Sequence, residues 1–326
     1  MSNPIPRRRF LAGAAGLAAA AALPSRSQGA WPQKPVKIIV GFPPGGGADA
    51  MARLIASRLP ERFGQPVIVE NKTGATGTIA SDMVSKSAPD GYTLQLAHIN
   101  SNAIGPLLVA KGRFDPVADF TPITLIGITP QMLCHHPKHK FKDVTDLIRH
   151  AKANPQKLSF ASSGVGSIQH IAGEAFKLAA GVDMLHVPFK GTGEAMSALL
   201  SGQVDMTFSS TGSALPQVRA GKLTLLAVCS PRRLAAFPDV PAVSETLKGY
   251  EISTWYGLAG PAKLPREIVE RIHRDVHAIL GQPDIAKRLQ DLDAEVSSGT
   301  PEQFAAFWKN ENEKYRKLIA EAKIEA

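Results

Sequence analysis

The sequence predicts an α/β protein whose parallel strands and helices are gathered into two lobes. Two observations carry that expectation. Glycine-rich loops stand where a β-branched strand hands over to a helix. Gly41-Phe42-Pro43-Pro44-Gly45-Gly46-Gly47-Ala48-Asp49 follows Val36-Lys37-Ile38-Ile39-Val40, and Asn71-Lys72-Thr73-Gly74-Ala75-Thr76-Gly77 follows Val67-Ile68-Val69-Glu70. The order of strand, short polar loop and helix also comes twice before residue 90 and twice after residue 157. Such alternation marks parallel α/β layers.

The elements follow in order. The first two strands lead into helices over 50–59 and 78–86. Asp90-Gly91 turns into a strand over 92–97 that ends in a polar loop, 98–102. Extended runs cover 120–129 and 131–134, and a helix covers 143–153. A strand over 158–161 leads through Ser162-Ser163-Gly164-Val165-Gly166-Ser167 into a helix over 168–179. Another over 184–189 leads through Lys190-Gly191-Thr192-Gly193 into a helix over 194–200. Strands are expected at 204–208, 223–229 and 252–259. Helices close the chain at 265–280, 284–291 and 301–322, the first with Ile268, Ile272, Val276 and Ile279 as its apolar stripe. These three are expected to return and pack on the first lobe.

Residues 1–29 read as an export signal rather than as part of the fold. Arg7-Arg8-Arg9-Phe10-Leu11 precedes an alanine-rich apolar stretch, and Ser27-Gln28-Gly29 offers small residues for cleavage before Ala30. The arginine pair followed by Phe-Leu resembles a twin-arginine signal, with Pro6 before the pair and Ala12 where lysine is common. The general secretory route and an uncleaved anchor are the other readings. The apolar stretch is short for a membrane span.

The chain has 37 Lys+Arg and 28 Asp+Glu in 326 residues. Four of the arginines and no acids lie in residues 1–29, so the mature chain carries a net charge of +5. This mildly basic balance favours small anionic ligands slightly, and mixed signs without like-charge blocks give no case for nucleic acid. Cys134 and Cys229 each end an apolar run. In an oxidising compartment they could pair, or both could be buried free thiols.

The two glycine loops have a shared chemistry. Each aims free amides from a helix N-terminus, with the helix dipole behind them, and ligands of α/β sheets gather beyond the carboxyl ends of strands. A pocket for a small anion is the consequence.

Several motifs then resemble, in order along the mature chain, those of the Bug family, the receptors of tripartite tricarboxylate transporters. They are the stretch from Phe42 to Arg53, Val69-Glu70-Asn71-Lys72-Thr73-Gly74-Ala75-Thr76-Gly77, and Pro89-Asp90-Gly91-Tyr92-Thr93-Leu94. Ser162-Ser163-Gly164-Val165-Gly166-Ser167 with His170, Val187-Pro188-Phe189-Lys190-Gly191-Thr192-Gly193 and Gly202-Gln203-Val204-Asp205 continue the series. Pro238-Asp239-Val240-Pro241 and Trp255-Tyr256-Gly257 complete it. The resemblance implies a type II periplasmic-binding-protein fold with two crossover strands, 120–129 and 252–258, and a central cleft. Residues 30–128 with 256–326 would form lobe 1, and 129–255 lobe 2. It implies a monomeric periplasmic receptor without catalysis, cofactor or metal, which delivers a small carboxylate to integral membrane permease subunits. His98-Ile99-Asn100-Ser101-Asn102 departs from the Ser/Thr-rich run common in relatives.

The expected ligand contacts from lobe 1 are Phe42, Gly45, Gly46, Gly47, Asp49, Gly74, Ala75, Thr76, Gly77, Asn100 and Ser101. From lobe 2 they are Ser162, Ser163, Gly166, Ser167, His170, Gly191, Thr192 and Asp205. Backbone amides carry this expectation more than side chains, since a carboxylate receiving several charge-assisted N–H bonds is held strongly. Asp49 could equally cap its helix. His170 could be a packed histidine satisfied by backbone, Asp205 could bond backbone amides, and Lys190 could be a surface lysine.

The same residues also fit other chemistries less well. Gly45-Gly46-Gly47-Ala48-Asp49-Ala50 fits G-x-G-x-x-A, with Glu70 near the place of a ribose-binding acid. An exported nicotinamide-dinucleotide-binding oxidoreductase is therefore the alternative. Against it, Glu70 runs straight into a second glycine loop and Pro43-Pro44 stiffens the first. His135-His136-Pro137-Lys138-His139 resembles a metal cluster, but Lys138, Lys140 and Lys142 would repel a cation. Ser163, His170 and Asp205 could be arranged as a hydrolase triad on paper, but the G-x-S-x-G elbow is missing.

Overall fold

The computed structural model describes residues 31–234, 237–291, 294–296 and 299–325; the expected export signal lies outside them. β1 (Val36–Val40) leads through the first loop to α1 (Gly47–Ala56) and α2 (Leu59–Phe63). β2 (Val67–Asn71) leads to α3 (Thr78–Ser85), and β3 (Thr93–His98) to a π-type turn over Asn100–Ile104 and α4 (Gly105–Leu108). β4 (Phe120–His135) and α5 (Val144–Ala153) follow, then β5 (Ser159–Ser162), α6 (Ile168–Ala180), β6 (Leu185–Pro188) and α7 (Thr192–Leu200). Next come β7 (Met206–Ser210), α8 (Thr211–Arg219), β8 (Thr224–Val228) and β9 (Ser253–Pro261). The chain ends with α9 (Arg266–Leu280), α10 (Pro283–Asp291), the short β10 (Glu295–Val296) and α11 (Pro301–Glu321).

The sheet order is β2-β1-β3-β9-β4-β7-β5-β6, with β8 and β10 also on β4. β2-β1-β3 and β7-β5-β6 are parallel sets, whereas β9 and β4 run antiparallel between them. β4 is shared: Phe120 to Pro130 pair with β9, and Gln131 to His135 pair with β7. The two extended runs expected at 120–129 and 131–134 are thus one strand of 16 residues. Pro130, which donates no N–H, sits where the strand exchanges one ladder for the next, so it costs little pairing.

Local signals explain most helix ends. Asp143 caps α5 by accepting from Asp146 N, and Thr300 with Gln303 forms a capping box on α11 ahead of Pro301. Ile268, Ile272, Val276 and Ile279 of α9 are buried in one cluster with Ile38, Val40 and Leu94. Phe304 and Trp308 of α11 pack on Trp255 of β9, and Trp308 Nε1 donates to Pro116 O at 2.6 Å.

Two stretches differ from expectation. The polar run after β3 is not an open loop but a buried helical turn. Its side chains satisfy one another: Asn102 Oδ1 accepts from Ser101 Oγ at 2.6 Å, from His98 N at 3.1 Å and from Gln95 Nε2 at 3.2 Å. Such a network can be buried because its groups are paired. The helix α8 occupies a stretch with no expected element, because Gly212 and Pro216 mask the buried face made by Thr211, Ala214 and Leu215.

Cys134 and Cys229 are both free and buried. Cys134 packs with Met132, whereas Cys229 packs with Ala227 and Tyr250 in a different cluster on the other face of the sheet.

Candidate ligand-binding site

A cavity of about 840 Å³ lies where β4 changes partners. One wall holds the loops after β1 and β2 with His98 and Asn100; the other holds the loops after β5 and β6. Gln131, Thr254 and Tyr256 from the antiparallel strands join the two walls.

The first loop ends at Gly46, which takes the N-cap position of α1 in extended backbone. The amides of the following turn have no acceptor inside the helix. Phe42, Gly46 and Gly47 line the cavity; Gly45 and Asp49 do not. Asp49 is buried and works from behind. Its Oδ2 accepts from Arg53 Nε and Gly45 N, both at 2.9 Å, and its Oδ1 from Asn71 Nδ2 at 2.9 Å. Asn71 Nδ2 also donates to Phe42 O at 2.9 Å. The Arg53 guanidinium, helped by these donors, holds the Asp49 carboxyl at about 2. The side chain therefore ties the first loop to the second strand and neither caps α1 nor reaches the cavity.

The second loop is a left-handed turn. Gly74, Ala75, Thr76 and Gly77 have φ of 126°, 46°, 58° and 89°. For Ala75 and Thr76 this conformation costs about 1 kcal/mol each. Gly77 N donates to Gly74 O at 2.9 Å, and Thr78 Oγ1 to Ala75 O at 2.7 Å, which hold the turn. All four loop residues line the cavity. A Cβ on Gly41 would lie 2.7 Å from Gly77 Cα, so the two loops touch through glycine. Gly41 was not among the expected contacts; its signal was its place directly after β1.

His98 stands between Phe42 and Tyr256, with ring centroids 4.6 and 5.1 Å away. Burial pushes its pKa down to about 3, so the ring is neutral. Its Nδ1 accepts from Asn100 N at 3.0 Å, which leaves the proton on Nε2. Burial pushes the Tyr256 hydroxyl up to about 12, so it too is a neutral donor. Asn100 lines the cavity; Ser101, bonded to Asn102, lies behind it.

On the opposite wall Ser167 caps α6, its Oγ accepting from His170 N at 3.3 Å. Ser163, Ser167, Gly191 and Thr192 line the cavity, and Ser163 N donates to Gln169 Oε1 at 2.7 Å. Ser162, Gly166 and His170 do not line it. Gly166 N donates to His170 Nδ1 at 3.2 Å, and the His170 ring stacks 3.8 Å from that of His186. Ser162 Oγ and His186 Nε2 are 2.6 Å apart. Burial pushes His170 down to about 3 and His186 to about 4. This cluster shapes the loop from beneath.

Asp205 also stands apart from the cavity. Its Oδ2 accepts from Ser159 N and Oγ at 2.8 Å, and its Oδ1 meets Lys138 Nζ at 2.8 Å and His139 Nε2 at 2.7 Å. Burial raises its pKa, but these partners outweigh burial and hold it at about 2. Ser163, His170 and Asp205 thus have separate partners and form no triad. Glu70, the acid of the dinucleotide alternative, pairs with Lys37 at 2.7 Å and lies outside the cavity lining. Among the described residues lining the cavity, Lys190 alone is charged.

Residues 51–324 match the family described as the tripartite tricarboxylate transporter family receptor, TctC. The chain is 33% identical to protein BugT of Bordetella pertussis, over 89% of this chain and 90% of BugT. R. palustris Rpa4515 with adipate shares 32% identity and a TM-score of 0.82, with 90% of this chain and 99% of that one covered. MatC (Rpa3494) from Rhodopseudomonas palustris with bound malate shares 32% identity and a TM-score of 0.79, with 89% and 100% covered.

Proposed function

Because the chain belongs to the tripartite tricarboxylate transporter receptor family, that of the Bug proteins, and has their periplasmic-binding-protein fold, we propose that it captures a small organic carboxylate and hands it to integral membrane permease subunits. The observation that carries this reading is the meeting of two amide-bearing loops, Gly46-Gly47 and Ala75-Thr76, across the Gly41–Gly77 contact. A carboxylate seated there would receive several N–H bonds with a helix dipole behind them. The relatives solved with adipate and malate support the same ligand class.

The rest of the lining narrows the ligand. Neutral donors from His98 and Tyr256 and the single cation Lys190 suit a di- or tricarboxylate or an aromatic carboxylate. No acidic side chain among the described lining residues would meet an ammonium, which disfavours amino acids. A binding role without catalysis is part of this reading, supported by the receptor family to which the chain belongs.

In this reading residues 1–29 direct export to the periplasm and are cleaved near Ala30, and the receptor works as a monomer. No helix of the described residues is long and apolar enough to cross a membrane. Residues 30–128 with 256–326 and residues 129–255 act as jaws that close about β4 and β9. Thermal-shift screening against a carboxylate panel tests the core claim, since a ligand bound to the folded state raises the melting temperature. A melting temperature moved by NAD(P) and by none of the acids would overturn it.

A further inference from the structure

We propose that Gln131 and Thr254 form a subsite for a hydroxyl group, which makes the receptor selective for hydroxycarboxylates over the same acids lacking that group. The proposal rests on the carboxylate-receptor reading above. Gln131 is the first residue of β4 past Pro130, where the strand leaves β9 for β7, and it belongs to the cavity lining. Its backbone is fully engaged: Gln131 N donates to Ile252 O at 3.3 Å, and Gln131 O accepts from Cys229 N at 2.8 Å. The residue therefore cannot turn away without breaking the strand junction.

The side chain is wholly buried, and only half of it is satisfied. Nε2 donates to Thr254 Oγ1 at 2.9 Å, while Oε1 meets no donor. Buried polar atoms without a partner are uncommon in native proteins and ask for an explanation. Thr254 also lines the cavity, and since its oxygen accepts from Gln131 its own hydrogen remains to be donated.

The pair thus presents one acceptor and one donor side by side. An alcohol, which donates one hydrogen and accepts another, satisfies both. A carboxylate oxygen would meet the donor but be repelled by Oε1, and a methylene would leave both atoms unpaired. An ammonium would satisfy Oε1 and find no counter-charge in the lining.

Calorimetry on the purified full chain with malate against succinate, citrate against tricarballylate, and 3-hydroxybenzoate against benzoate tests the proposal. In at least one pair the hydroxylated acid should bind roughly tenfold tighter or more. Gln131→Leu and, independently, Thr254→Val should bring that ratio close to one while binding of the deoxy acid persists. Equal affinities within every pair that binds would overturn the hydroxyl subsite and leave the receptor reading standing. A preference that survives both folded variants would likewise place the hydroxyl elsewhere. Failure of all six acids to bind would overturn the subsite together with the reading beneath it.

Discussion

Asn100 Oδ1 accepts a hydrogen bond from the backbone N–H of Ile168 at 3.1 Å. The acceptor belongs to the turn after β3 and the donor is the first residue of α6, so the bond ties one wall of the cavity to the other. A side chain here does for the helix N-terminus what a ligand oxygen does in other anion sites. Leu108 reinforces the junction, standing 3.2 Å from where a Cβ on Gly166 would lie. The serine loop before α6 is thereby partly occupied by the protein itself, and the free amides gather on the loops after β1 and β2.

Removing that bond should loosen the junction. Asn100→Ala is expected to weaken binding of the best carboxylate about fivefold, the worth of one neutral hydrogen bond. Small-angle scattering of the ligand-bound variant should show a larger radius of gyration than the wild type. Unchanged affinity and radius would mean that the bond does not hold the walls together.

Glycine substitutions should separate the two loops' contributions. Gly77 has φ of +89°, and a Cβ there would lie 2.9 Å from Ser101 Cβ. Gly77→Val should cost about 2–4 kcal/mol in urea denaturation from strain and overpacking. Gly46 has an ordinary φ of −79°, and its nearest neighbour to a new Cβ is Pro43 O at 3.6 Å. Gly46→Ala should stay within about 0.5 kcal/mol. Equal losses in the two variants would contradict the loop geometry.

Stability should fall with acid in two stages. His170 and His186 are held neutral at about 3 and 4 against the ordinary 6.5. His98, also held at about 3, adds to them, so the unfolded chain binds more protons as pH falls below 6.5 and the folded state loses stability down to about 3. Asp49, at about 2 against the ordinary 3.8, contributes stability that is whole above 3.8 and fades as pH falls towards 2. Melting curves from pH 7 to 2.5 should show His186→Gln flattening the upper stage and Asp49→Asn the lower. Wild-type slopes in both variants would refute the assignment.

The cysteines should behave as inert thiols. Burial pushes Cys134 up to about 12 and Cys229 higher still, and they face opposite sides of the sheet. A thiol reagent should find neither in the native protein and both after denaturation, with an identical mass before and after reduction. A mass gain of two hydrogens on reduction would reveal a disulfide instead.

Much of the architecture was legible from local signals. Strand periodicity, the glycines after β1 and β2, and the apolar stripe of α9 each act within a few residues, so sequence order alone exposes them. The buried turn over Asn100–Ile104 was not legible, because its polar side chains resemble those of a solvated loop. Partners from elsewhere in the fold, Ser81 on α3, Gln95 on β3, Ile168 on α6 and Asn312 on α11, make its burial possible. α8 was hidden for a related reason: glycine and proline lower its propensity, while packing on β4 and β7 stabilises it.

Strand patterning and glycine placement were enough to mark two glycine loops after parallel strands, each with free backbone amides at a helix start. Which polar side chains stand at the cavity emerges only from the folded topology. Asp49, His170 and Asp205 lie in or near the motifs, yet each is turned to a partner distant in sequence or to its own loop. Gln131 and Thr254 carry no motif of their own, and with Tyr256 they reach the cavity because two antiparallel strands run side by side beneath it. The reason is the cost of burying a polar group unpaired, which is settled by whichever donors and acceptors folding brings near.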